Sequence, residues 1–83
     1  MAKELIVRRF GHAIRRRRVE AGLSQESLAT AAKLHPTYIS LIERGLRDPK
    51  LTSIRKLAVA LGVGAGVLIA EAERSRLGIR ERG

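Results

Sequence analysis

Apolar residues recur along this chain at intervals of three and four, and strict apolar-polar alternation never persists for the length of a half-buried strand. That periodicity confines the chain to an all-α fold. Its clearest stretch is Ile54, Leu57, Ala58 and Leu61, which fits the i, i+3, i+4, i+7 template without a miss. Punctuation divides the chain into five helices. The first is expected from Lys3 to Ala21 with Ile6, Phe10, Ala13 and Ile14 on one face, and Gly22 can end it in a left-handed C-cap. Ser24 then caps a second helix that carries Leu28, Ala29 and Ala32 inward and stops near Lys33. The third begins at Pro36, whose fixed φ suits a first helical position, turns Ile39 and Ile42 inward and closes at Gly45. Thr52 is expected to cap the fourth and Gly62 to stop it; a fifth runs from Ala65 to Arg76. Residues 1–76 therefore read as one compact five-helix domain, and 77–83 as a charged tail expected to fray.

A single domain of 83 residues has a modest core and commonly gains stability from a disulfide, a metal or a partner subunit. Cysteine is absent, and His12 and His35 lack ligand-type spacing, so no metal or other cofactor is expected and oligomerisation is the remaining route. Seventeen Lys and Arg against eight Asp and Glu give a net charge of +9, which calls for a polyanionic partner. With no Trp and one Phe, the chain lacks the aromatic residues of a basic membrane-surface helix or of a single-strand binder that stacks bases. Neither a membrane span nor a signal-peptide core is visible, which implies no membrane partner and a cytoplasmic location. Gly62, Gly64 and Gly66 are wrongly spaced for a phosphate-binding loop and read as an interhelical turn. No carboxylate pair, activated nucleophile or metal cluster points to an enzyme.

Residues 22–45, GLSQESLATAAKLHPTYISLIERG, carry the function. A helix about 10 to 12 Å across fits a major groove about 12 Å wide, and the third helix turns Thr37, Tyr38, Ser40 and Leu41 away from Ile39 and Ile42. Arg44 and Arg47 extend this polar surface, and Arg44 is assigned with Ser40 to phosphate. Gln25 stands in the first turn of the second helix, where free N–H groups and the helix dipole attract a phosphate. A solvated glutamine beside the Ser24 cap is the alternative.

The same string resembles the helix-turn-helix of the phage-repressor and Cro-type (XRE) regulator family, the lambda-repressor-like DNA-binding fold. The likeness extends from residue 10 to residue 68, through Ile14 and Arg18 upstream and RDPKLTSIRKLAVALGV downstream. TYISLIERGLR is most similar, within that family, to controller proteins of restriction-modification systems. The resemblance implies base-facing positions at Thr37, Leu41 and Arg47, and a DNA contact at Tyr38. Arg47 can donate two bonds to guanine, and Leu41 can meet a thymine methyl or be an ordinary exposed leucine. Tyr38 can equally cover the core edge. Arg18 and Glu43 match a paired Arg and Glu that bridge helices one and three, a structural ion pair.

Four departures from the family pattern stand out. Arg17 replaces an apolar residue, and of the run Arg15 to Arg18 one or two side chains are expected near phosphate. Lys33 takes a turn position usually held by glycine, His35 replaces a Ser or Thr cap, and Pro36 replaces a side chain that often reads a base. Useful specificity normally requires two half-sites about 34 Å apart. A homodimer is therefore expected, with Leu68 packed inward and Val67 or Ile69 in the interface. The expectation is a regulator binding a double-stranded operator by occupancy, with no small-molecule effector domain. Two rivals are a nonspecific nucleic-acid-binding protein and an antitoxin-type interaction module.

Overall fold

The computed structural model describes residues 4–74 as five helices: α1 Leu5–Glu20, α2 Gln25–Ala32, α3 Pro36–Glu43, α4 Leu51–Leu61 and α5 Ala65–Arg74. The boundary expected at residue 76 and the tail 77–83 lie outside the described residues. Local signals set most of the helix ends. Ser24 Oγ accepts from Ser27 N–H at the start of α2, Pro36 opens α3, and Gly22, Gly45 and Gly62 all have positive φ at helix ends.

The core joins Phe10 and Ile14 of α1, Leu28, Ala29 and Ala32 of α2, Ile39 and Ile42 of α3, Leu57 and Ala58 of α4, and Leu68 and Ala72 of α5. α1 packs against α5 and α3, α2 against α3 and α4, and α4 against α5. α1 passes very close to the end of α3 at Gly11. A Cβ on Gly11 would fall 2.0 Å from the Ile42 carbonyl oxygen, so only glycine permits this approach.

Two expectations need correction. Thr52 does not cap α4: the helix begins at Leu51, and its N-cap Lys50 makes no side-chain capping bond. Lys50 is instead fixed from a distance, its N–H donating to the Tyr38 hydroxyl at 3.4 Å. Ile6, expected inward, is exposed, while Val7 is buried. The buried line of α1 runs Val7, Phe10, Ile14, at i, i+3, i+7, and leaves Ile6 on its shoulder.

Candidate nucleic-acid interface

α3 is aimed by its buried side and by bonds at both of its ends. Ile39 and Ile42 are buried, so Thr37, Ser40, Leu41 and Arg44 occupy the remaining circumference, with Thr37 and Arg44 exposed and Ser40 and Leu41 half-buried. His35 serves as N-cap, its Nδ1 accepting from Thr37 N–H at 3.0 Å, so imidazole does the work usually left to a hydroxyl. Lys33 occupies the turn between α2 and α3 in the left-handed region, φ 59 and ψ 44, a conformation unfavourable for a residue with a Cβ.

At the far end of α3, Glu43 is the hub of a buried network. Arg18 Nε donates to its Oε2 at 2.6 Å and Arg18 Nη2 to its Oε1 at 3.1 Å, while Gln25 Nε2 donates to Oε1 at 3.1 Å. Arg18 Nη1 also donates to the Leu23 carbonyl at 2.8 Å. Bonding to Glu43 raises the Arg18 guanidinium above its ordinary value. The network ties α1, the α1–α2 turn, α2 and α3 into one unit. It uses one of the two hydrogens of the Gln25 amide.

Tyr38 is half-buried against the core, and its hydroxyl donates to Ser53 Oγ at 3.0 Å. The Arg47 guanidinium lies 5.7 Å from the centroid of the Tyr38 ring. The hydroxyl is thus engaged within the protein and the ring carries Arg47, which is exposed on the loop beyond α3. Lys50 is exposed, and the exposed Lys33, Arg55 and Lys56 line one surface depression with Thr52 and Val59. Arg55 and Lys56 were not singled out from sequence; their outward register on α4, opposite Leu57 and Ala58, is the signal that could have found them.

The arginine run divides its directions. Arg15 is exposed, and Arg16 and Arg17 reach α5: Arg17 Nε donates to Glu71 Oε1 at 3.0 Å and Oε2 at 3.1 Å, Arg17 Nη2 also bonds Oε2, and Arg16 Nη2 donates to Oε1 at 3.0 Å. A charged side chain at position 17 is therefore accommodated by a partner on α5. On α5 itself, Leu68 is fully buried as expected, while Val67 is 43% and Ile69 36% exposed.

Among the described residues, no group of three or more His, Cys, Asp or Glu is placed to hold a metal, and no single helix is long and apolar enough to cross a membrane.

A helix-turn-helix family model matches residues 14–68. Control protein C.BamHI of Bacillus amyloliquefaciens is 49% identical over 55 residues, 65% of this chain and 68% of that protein. The crystal structure of the restriction-modification controller protein C.AhdI from Aeromonas hydrophila aligns with a TM-score of 0.73 and 40% identity, covering 75% of this chain and 94% of that one. SinR, a master regulator for biofilm formation crystallised in complex with DNA, aligns with a TM-score of 0.69 and 33% identity over 72% of this chain and 97% of its own.

Proposed function

Because this chain belongs to the XRE-type helix-turn-helix family of DNA-binding transcriptional regulators, we propose that it is a restriction-modification controller that binds a two-half-site operator as a homodimer in the cytoplasm. The family acts by binding rather than by catalysis, so regulation follows from occupancy of the operator. The observation that carries the reading is the outer surface of α3, where Thr37 is exposed and Leu41 half-buried, with Arg47 exposed on the following loop and held over the Tyr38 ring. In the proposed complex Thr37, Leu41 and Arg47 face bases, and Tyr38 meets DNA at the groove edge. Ser40, Arg44 and Gln25 take phosphates, which fix register without reading sequence. Val67 and Ile69 supply apolar surface for the second copy.

A competition titration tests this reading. An operator selected from a random DNA pool should bind about 10³-fold or more tightly than random duplex at matched salt. Equal affinities would contradict it and leave only charge-driven binding. Sedimentation of the free protein should give the mass of a dimer; a monomer at micromolar concentration would contradict the two-half-site reading.

A further inference from the structure

Three consecutive arginines of α1 reach two different partners. Arg16 and Arg17 hold Glu71 on α5, while Arg18 holds Glu43 at the end of α3. Adjacent helical residues diverge by about 100°, so one turn of α1 can grip both neighbours at once. The Arg17 and Arg18 contacts are partly shielded from water, with side chains 28% exposed for Arg17, 14% for Glu71, 11% for Arg18 and 2% for Glu43, whereas Arg16 is 45% exposed. Bonding by Arg17 also holds the Glu71 carboxyl below its ordinary value. Close packing at Gly11 fastens α1 to α3 independently. The principal neighbours of α5 are α1 and α4, so its position relative to α3 is set through those two helices.

From this arrangement we infer that Glu71 is a positioning residue for operator recognition: held by Arg17 and Arg16, it fixes the angle of α5 against α1 and thereby the separation of the two recognition helices in the dimer. The inference rests on the homodimer reading above, in which Val67 and Ile69 of α5 contact the second copy. Glu71 lies between these residues and the end of α5, within one turn of Ile69. The lever is long enough to matter. The smallest dimension of the domain is 23 Å. Over about 20 Å, a tilt of about 10° displaces α3 by roughly 3.5 Å, close to one base-pair step. Loosening the clamp should therefore blur half-site spacing while leaving half-site sequence untouched.

The test uses the full chain and duplexes carrying two selected half-sites whose centre-to-centre distance varies in single base-pair steps. Wild type is expected to prefer one spacing. In Glu71→Gln, the affinity ratio between that spacing and its neighbours should fall by about fivefold or more, within the usual range of coupling between sites. The half-site sequence recovered from a random pool should not change, and sedimentation should still give a dimer. Should Glu71→Gln fail to fold, Arg17→Lys keeps the charge but loses the bidentate fork, and it should show the same broadening. A folded, dimeric variant with an unchanged spacing profile would overturn the inference. A wild-type chain that sediments as a monomer would instead overturn the dimer reading beneath it.

Discussion

At the scale of single residues, the most consequential side chains are those that would be left charged and buried if a partner were lost. Removing Glu43 strands Arg18 in a site where only 11% of its side chain meets water. Glu43→Ala should therefore cost about 3 to 5 kcal/mol in urea denaturation, far more than the median surface pair. Operator preference of whatever folds should be largely preserved. Lys33 offers the opposite case. Its φ of 59 is unfavourable for any residue with a Cβ, so Lys33→Gly should stabilise the domain by about 1 kcal/mol in the same measurement. Both positions were legible in the sequence through the family resemblance, which pointed to an Arg–Glu bridge and to a glycine-type turn. That His35 would accept the N-terminal hydrogen bond through Nδ1 was not legible, because imidazole is an uncommon cap and the residue names alone do not give the rotamer.

The expected helices follow from signals that act within a few residues: the positive-φ glycines, the Ser24 cap, Pro36 at the first turn and the apolar spacing. What the sequence concealed are contacts between distant residues. Thr52 looked like a cap because its type is right, but α4 begins one residue earlier, and its N-cap Lys50 donates its N–H to the Tyr38 hydroxyl, 12 residues away. Arg17 looked misplaced because its partner Glu71 lies 54 residues away. Gly11 gave no sign of its role, since a glycine within a helical pattern reads first as a weak point rather than as a place of close packing. Its environment makes a specific demand. Gly11→Ala puts a methyl group 2.0 Å from the Ile42 carbonyl oxygen and forces α1 and α3 apart. We expect a loss of at least about 1 to 3 kcal/mol, measured by thermal or chemical unfolding, with weaker operator binding as α3 shifts. The α1–α5 contact should respond to acid. Because the folded state lowers the Glu71 carboxyl below its ordinary value of 4.5, the unfolded chain takes up a proton first as pH falls. The stabilisation is complete above that value and is lost progressively below it, toward the lowered folded-state value. In Glu71→Gln this part of the stability profile should flatten. His12 and Arg74 line the same surface depression, so the profile is best read as a difference between the two proteins.

For the molecule as a whole, charge and fold converge on one partner. A net charge of +9 supplies attraction to any duplex, and it falls steeply with salt; selectivity must come from the few side chains that reach base edges. Thr37 and Arg47 are both exposed, whereas Glu43, Arg18 and the Tyr38 hydroxyl are committed to internal bonds. In the proposed complex, recognition and stability are therefore divided between different residues of the same short helix and its flanking loop. The decisive measurement is selection of bound sequences from a random DNA pool by wild type and by the double variant Thr37→Ala with Arg47→Ala, each first checked for native unfolding behaviour. Base reading by the margin of α3 predicts a defined two-half-site consensus for wild type, and for the folded double variant a loss of preference at the positions those side chains face. An unchanged consensus in that folded variant would contradict it.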